Sequence, residues 1–416
     1  NIMINFIMRK ENTLKENLEN TKESKIKNKS GIIKIIIAMI VTAIITYFLT
    51  VNITFKSYLN TSNMTYLSAK INLIKQKLNS ESIYDLDESK MLESALKGYV
   101  SGLDDKYTQY LSKEDMDELL EDTSGSYVGI GVYMADNTAD NSILVIGVIE
   151  GSVAEQAGIQ AGDIIKKVDG TEYTGEQLDV VSSKVKGEEG TNVKLTILRN
   201  NEEKEFNITR SNIKLKTVSS KMLDNKKAYI KISSFSDGTA NEFKEAFEKL
   251  KSENPTGLVI DLRNNGGGLV SESLDIAETM VEKGKTLLIT SNKDKKEDIR
   301  KSKQNPTIDI PVVVLINQNA ASASEILAGI LKDDCGYKII GTKSYGKGVI
   351  QTVYSFSDGS GLKVTTEEYF TPNHNTINKV GIAPDIEINL DSEWENMSNI
   401  PYENDTQLQE AVKALE

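Results

Sequence analysis

One histidine and one cysteine, His374 and Cys335, stand in the 416 residues of this chain. A lone thiol cannot close an internal disulfide, so the fold must be held by packing. Cys335, in Asp-Asp-Cys-Gly-Tyr just past an expected helix, reads as a partly buried structural thiol. A lone imidazole nearly excludes zinc sites built on two or three histidines, and no His-Glu-x-x-His occurs. A histidine-based triad could draw only on His374, whose setting, Thr371-Pro-Asn-His-Asn-Thr, reads as a surface loop. An excess of positive charge is missing too: 49 Lys+Arg face 61 Asp+Glu, for a net charge of -12. That balance argues against nucleic acid as the main partner, because binding phosphate needs a basic surface. Tandem repeats and low-complexity segments are absent as well.

What is present divides into blocks. Residues 32–51, IIKIIIAMIVTAIITYFLTV, are apolar on every face. Twenty residues at ~1.5 Å rise match the ~30 Å core of a bilayer. Lys34 is near one end, where it can snorkel, and Lys22, Lys25, Lys27 and Lys29 precede the run. Basic flanks stay cytoplasmic, so residues 1–31 are expected inside and the rest of the chain outside a bacterial-type cytoplasmic membrane. A cleaved signal peptide is the rival reading, but no small-x-small site follows.

Residues 52–122 read as a helical region, with Ser112 as the N-cap of its last helix. Residues 123–213 change to short apolar runs with glycine turns, among them the strands Tyr127–Tyr133 and Ile143–Ile149. Within that block Ser152–Ala157 reads as a short helix closed by Gly158, and Asp169-Gly170 and Asn200-Asn201 as strand-ending turns. Residues 214–392 alternate strand and helix, the pattern of an α/β core whose sites gather at the carboxyl ends of strands. Residues 393–416 read as an acidic C-terminal tail, partly helical and suited to self-association.

Two strand ends carry candidate chemistry. Asp261-Leu-Arg-Asn-Asn-Gly-Gly-Gly can turn backbone N–H groups outward as an oxyanion hole, or can simply be a flexible turn. Ser322, in Asn-Ala-Ala-Ser-Ala-Ser-Glu-Ile, is at a strand-to-helix junction among small residues. It reads either as a nucleophile or, like Ser324, as an N-cap. A serine nucleophile needs a base. With one histidine in the chain, Lys347 of Gly341-Thr-Lys-Ser-Tyr-Gly-Lys-Gly is the next candidate. Lysine starts at a pKa of ~10.4 and must fall to roughly 7–8 to act as base, which burial achieves. If a strand begins at Val349, Gln351 shares a face with Lys347 and could hold its amine.

The same segment fits the phosphate-loop pattern GxxxxGK. Gly348 stands where a magnesium-binding Ser or Thr is needed, and a strand follows instead of a helix, so a nucleotide hydrolase is disfavoured. Ser183-x-x-Lys186 has the spacing of another serine–lysine motif but lies in a charged helix without its partner motifs.

Taken together, the motifs resemble the carboxyl-terminal processing peptidases, or tail-specific proteases, over residues 78–390. Leu103-Asp-Asp-Lys-Tyr-Thr-Gln-Tyr-Leu, Gly129-Ile-Gly-Val, Ser152-Val-Ala-Glu-Gln-Ala-Gly, Asp261-Leu-Arg-Asn-Asn-Gly-Gly-Gly-Leu, Ala321-Ser-Ala-Ser-Glu-Ile, Gly346-Lys-Gly-Val-Ile-Gln and Gly381-Ile-Ala-Pro-Asp-Ile occur in register. The resemblance implies a multidomain α/β chain in which a PDZ domain interrupts a crotonase- or Clp-like protease core. It implies Ser322 as nucleophile, Lys347 as general base, Gln351 as its orienting residue, and the N–H groups of Ala323 and Gly267 as oxyanion hole. The Gly129, Ile130, Gly131 and Val132 backbone would take a substrate's terminal carboxylate, with Arg199 sensing the bound ligand. No metal or nucleotide cofactor is implied. Partners would be proteins or peptides with accessible C-termini, a second copy of the chain in a homodimer or larger assembly, and an activating protein of unknown identity. A non-catalytic PDZ scaffold is the alternative.

Overall fold

The computed structural model describes residues 39–50, 62–394, 397 and 400–416. The chain divides into two compact units, Asn1–Met91 and Leu92–Glu416. In the first, residues 39–50 are helical with exposed side chains, and Ser62–Glu81 forms a second helix. The expected membrane span at 32–51 thus lies partly outside the described residues. Among those that are described, no helix is long and apolar enough to cross a membrane.

In the second unit, the start of helix Lys113–Ser124 follows from its sequence. Ser112 accepts from the Asp115 N–H at 3.1 Å, and Asp115 accepts from the Ser112 N–H at 2.9 Å. This reciprocal capping satisfies two amides that the helix cannot pair itself. The helix stops at Gly125, left-handed at φ 63°. The region expected to be helical throughout also holds a short strand, Gln109–Leu111, paired antiparallel to Gly361–Phe370 of the distant core. Three residues with no alternation give no sequence signal for a strand.

Residues 126–214 form a β-rich module. Its main sheet runs Val132–Asn137, Ser142–Val148, Ile164–Val168, Asn192–Arg199, Glu202–Thr209, all antiparallel. The turns foreseen at Asp169-Gly170 and Asn200-Asn201 have φ of 50° and 81°, and of 53° and 63°, which matches the twist of hairpin strands. The helix Val153–Ala157 ends on left-handed Gly158, as its sequence suggests. Ile130, Val145, Ile165, Val181, Leu195 and Ile197 fill the core of this module.

The remaining residues build an α/β core. One sheet runs Val218–Met222, Lys227–Ile232, Gly257–Asp261, Val312–Ile316, Lys338–Gly341, Ile386–Glu387, parallel after its first pair. Strands buried on both faces read as continuous apolar runs, and Val312–Ile316 (VVVLI) is buried throughout. Helix Thr239–Lys251 buries Ala240, Phe243, Phe247 and Leu250 on one face of this sheet. The opposite face is covered by helix Thr406–Lys413, which places Leu408, Ala411 and Val412 against Val259, Val313 and Leu315. The C-terminal segment, expected as an acidic tail, is therefore a packed layer of the core from Asp405 onward. The expected partial helicity is present, whereas its packing on the sheet has no local signal in the sequence.

Candidate active site

The parallel strands Gly257–Asp261 and Val312–Ile316 end side by side, so the loops leaving them meet. Ser322 lies in the second loop, at the residue before helix Ala323–Cys335. Its backbone has φ 55° and ψ −115°, a conformation that costs a non-glycine residue of order 1–3 kcal/mol and persists only when its surroundings enforce it. Those surroundings are visible. The Ser322 N–H donates to Glu325 at 2.9 Å, the Ala321 N–H to the Asn265 carbonyl at 3.0 Å, and Ser324 Oγ to the same carbonyl at 2.9 Å. Ser324, the alternative N-cap, is thus committed to the neighbouring loop.

The first loop comes close because it has no side chain there. A Cβ on Gly267, at φ 103°, would lie 2.7 Å from Ser322 Cβ and 3.0 Å from the Ala323 nitrogen. Among the described residues nothing accepts from the Ala323 N–H, which faces this glycine. The Gly267 N–H, expected beside it as a second oxyanion donor, instead donates to Asn265 Oδ1 at 2.9 Å.

Lys347 reaches the site from the loop before strand Val349–Ser355. Its glycine neighbours are required by packing: a Cβ on Gly348 would lie 2.2 Å from the Asn378 nitrogen. Two groups join the lysine loop to the serine loop. Glu325, 1% exposed, accepts from Ser344 Oγ at 2.6 Å, Gly346 N at 2.7 Å, Lys347 N at 2.8 Å and Ser322 N. Tyr369, fully buried, points its hydroxyl at the carbonyls of Ser322, at 3.2 Å, and of Lys347. Neither residue was singled out by sequence reasoning. Glu325 had a signal, since an acid three residues after a helix cap often returns to the cap amide. Tyr369 had none.

The Lys347 amine is half-buried, and burial together with the charge of Lys363 lowers its pKa. It lies 4.9 Å from the centre of the Tyr107 ring, within cation–π range. Among the described residues no hydrogen bond joins it to Ser322 Oγ. The register shift beside Gln351 leaves an extra residue, Thr366, on the partner strand, and the Gln351 amide donates to Thr365 Oγ1 at 3.3 Å. Among the described residues no hydrogen bond joins Gln351 to Lys347. Cys335 is a half-buried thiol pushed up to about 11 by burial, and His374 is in an exposed loop at φ 61°. Among the described residues there is no cluster of metal-ligating side chains.

Residues 226–388 match the model of peptidase family S41, and residues 144–199 match a PDZ domain model. The chain is 36% identical over 389 residues to a "Probable CtpA-like serine protease" of Staphylococcus haemolyticus (strain JCSC1435), covering 93% of this chain and 78% of the relative. It is also 36% identical to the Staphylococcus aureus (strain COL) protein of the same description, covering 88% of this chain and 73% of that one. The chain belongs to peptidase family S41. It is a serine-type peptidase with a PDZ domain. The crystal structure of a "Putative S41 protease from Bacteroides fragilis NCTC 9343" shares the fold, with 21% identity, a TM-score of 0.51 and coverage of 80% of this chain and 92% of that one.

In the PDZ domain of this S41 peptidase, Gly129, Ile130 and Gly131 link strand Ser126–Gly129 to the edge strand Val132–Asn137. Gly131 is left-handed at φ 87°, and a Cβ there would lie 2.3 Å from Ser152 Cβ. The edge strand faces helix Leu178–Val185, with Ile130, Val132, Val181 and Val185 in one apolar cluster. Arg199 does not join them. Its guanidinium donates to both Asp163 oxygens, at 2.6 and 2.7 Å, and to the Gly158 carbonyl at 2.7 Å. Asp163 is 1% exposed, so the Arg199 guanidinium is held by a buried partner. A cleft of about 950 Å³ leads from Tyr127, Val128 and Lys186 past Leu120 and Asp237 to Leu269, which follows the Gly266–Gly268 loop.

Proposed function

We propose that this S41 peptidase is a membrane-anchored endopeptidase that captures substrate C-termini in its PDZ domain and cleaves with Ser322 and Lys347. The observation that carries the catalytic part is the Glu325 carboxylate, which accepts from the backbone amides of both Ser322 and Lys347. One buried group thereby sets the origin of two side chains twenty-five positions apart in sequence (347 − 322). The lowered pKa of Lys347 supports its role as base.

Lys347 Nζ takes the proton from Ser322 Oγ while Oγ bonds to the scissile carbonyl carbon. The Ala323 N–H receives the developing oxyanion, joined by the Gly267 N–H once it exchanges Asn265 Oδ1 for the substrate oxygen. Collapse breaks the C–N bond, and Lys347 passes its proton to the leaving amine. Water then attacks the ester, giving a proton to Lys347. The C–Oγ bond breaks and the proton returns to Oγ.

A substrate tail adds as a strand to Val132–Asn137, its carboxylate on the Gly129–Gly131 amides and its side chains toward the helix Leu178–Val185. The unpaired outer edge of that strand supports this reading. Binding then brings Lys347 into hydrogen-bond reach of Ser322. The apolar run 32–51 holds the enzyme in the cytoplasmic membrane with its catalytic part outside, a reading supported by the exposed apolar side chains of the helical residues 39–50.

The test is cleavage of an unfolded protein with an apolar C-terminus by the full-length chain in detergent, beside Ser322→Ala and Lys347→Ala. Loss of cleavage in both variants supports the dyad. Cleavage that survives Lys347→Ala would mean another base.

A further inference from the structure

Asp405 stands in Asn-Asp-Thr-Gln-Leu at the start of the C-terminal helix, beyond the residues that match the S41 family model. Its carboxylate is 2% exposed and faces Arg263, itself 6% exposed. Arg263 Nη1 donates to Asp405 Oδ1 and Nη2 to Asp405 Oδ2, both at 2.8 Å. Gln407 Oε1 accepts from Nη1 at 3.0 Å, while the Gln407 amide donates to the Ile388 carbonyl at 2.7 Å. The other side of the guanidinium is held by Asp261, fully buried, at 2.6 to 3.1 Å. Tyr229 donates to Asp261 at 2.7 Å. Burial alone would raise the Asp261 pKa, but the charge and hydrogen bonds of Arg263 hold it below the usual carboxylate range.

Three charged groups are therefore buried where an apolar cluster would serve stability at least as well, since desolvating ions offsets most of what their attraction returns. What such a cluster adds is a fixed orientation, and what it orients is specific. Arg263 is the second residue past strand Gly257–Asp261, and the next five residues are Asn264, Asn265 and the three loop glycines. Asn264 is left-handed at φ 61° and donates its N–H to Asn317 at 2.9 Å. The Asn265 carbonyl receives the Ala321 N–H and Ser324 Oγ on either side of Ser322. Where Arg263 is held decides where this loop leaves the sheet. The loop in turn sets Gly267 against Ser322 and the Ala323 N–H.

We infer that Asp405 is a positioning residue for catalysis: through Arg263 the C-terminal helix fixes the glycine loop against the nucleophile and its oxyanion donor. The inference rests on Ser322 being the nucleophile. Because Asp405 contributes no atom to the substrate site, its loss should lower turnover and leave substrate binding intact.

Asp405→Asn is the informative change. Asparagine caps a helix as well as aspartate does, so its oxygen can keep the Leu408 N–H, which Asp405 Oδ1 accepts at 2.9 Å. Its amide nitrogen then turns N–H against Arg263 Nη2. Leu415→Ala is the control. It removes a buried side chain, 7% exposed, from the same helix layer without touching Arg263. Both are made in the full-length chain in detergent. The readouts are the rate of labelling by a fluorophosphonate serine probe, kcat and KM on an unfolded protein, and the unfolding temperature. The inference expects kcat and labelling rate in Asp405→Asn to fall by about a hundredfold, the scale for an ångström-sized misplacement of reacting groups, with KM unchanged. Leu415→Ala should keep the parent rates despite an equal or larger loss of unfolding temperature. Asp405→Asn reacting at the parent rate, or both variants slowing in step with their unfolding temperatures, overturns the inference. A parent that takes up no probe even with the unfolded substrate present overturns the nucleophile assignment beneath it.

Discussion

Replacing Glu325 by glutamine tests whether one carboxylate holds the two halves of the dyad together. Each of its oxygens accepts two hydrogen bonds: Ser344 Oγ and Gly346 N on Oε1, Ser322 N and Lys347 N on Oε2. Glutamine keeps one oxygen, and its NH₂ must face two of these donors in either orientation. Turning the NH₂ toward Ser344 does least harm, because a hydroxyl can rotate to accept. One buried amide, that of Gly346, is then left unpaired, and the surviving bonds lose their ionic character. An orphaned buried donor costs about 1–3 kcal/mol, and hydrogen bonds to a charged group are worth about 1.5–3 kcal/mol against about 1 for neutral ones. The sum is roughly 2–7 kcal/mol, combining the orphaned amide with the two weakened bonds to Ser322 N and Lys347 N. Since Ser322 also holds a backbone strain of order 1–3 kcal/mol, part of the loss should appear as relaxation of its φ rather than as unfolding. The expected outcome is lower stability in urea, together with serine-probe labelling slowed by about a hundredfold at urea concentrations where the fold is intact. A variant within about 0.5 kcal/mol of the parent, the range of changes at sites with no special role, and labelling normally would refute the reasoning.

The pH profile offers a second check. Lys347 must be neutral to act, and Lys363 disfavours its protonated form, so Lys363→Gln should raise the Lys347 pKa and move the acid limb of kcat/KM to higher pH. An unmoved limb would mean that another group titrates there. The glycine loop gives a paired test. Gly266→Ala meets nothing within 4 Å and should stay within about 0.5 kcal/mol of the parent with activity retained, whereas Gly267→Ala should abolish cleavage. In the PDZ domain, Gly131→Val forces a Cβ to 2.3 Å from Ser152 Cβ and should remove the preference for a free terminal carboxylate, read by comparing cleavage of acid- and amide-ended substrates. Labelling of Ser322 by a small probe should survive that change.

Legibility followed the range of the interactions. Helix Thr239–Lys251 and its boundaries were readable because four buried positions recur at helical spacing within one segment. The hairpin turns were readable because Asp-Gly and Asn-Asn favour the left-handed conformations found there. Ser322 and Lys347 were legible as types, since a chain with one histidine leaves few bases. Their linkage through Glu325 and Tyr369 was not, because it arises between segments that only the sheet order brings together. The same limit hid Gln109–Leu111, which is a strand only through its partner. It also hid the surroundings of Gln351 and Arg199, of which the first donates to Thr365 across the strand pair and the second is engaged by a buried aspartate.

The supports of the proposed nucleophile and base are almost entirely backbone-directed. Glu325 and Tyr369 bind the amides and carbonyls of Ser322 and Lys347, leaving Oγ and Nζ free to move about a fixed frame. Lysine suits such a frame better than histidine would. Its long stem can rest its amine on the Tyr107 ring, 4.9 Å from the centroid, and leave it for the serine without any backbone shift. A cation–π contact is worth about 0.5–2 kcal/mol, so the resting place is held by no more than a single new hydrogen bond can replace. Tyr107 belongs to a segment fixed to the core through Asp105, Thr108 and Thr365, the threonine that also receives Gln351. On the proposed reading, a substrate that displaces this segment acts on the resting place of Lys347 while the frame set by Glu325 and Tyr369 stays still.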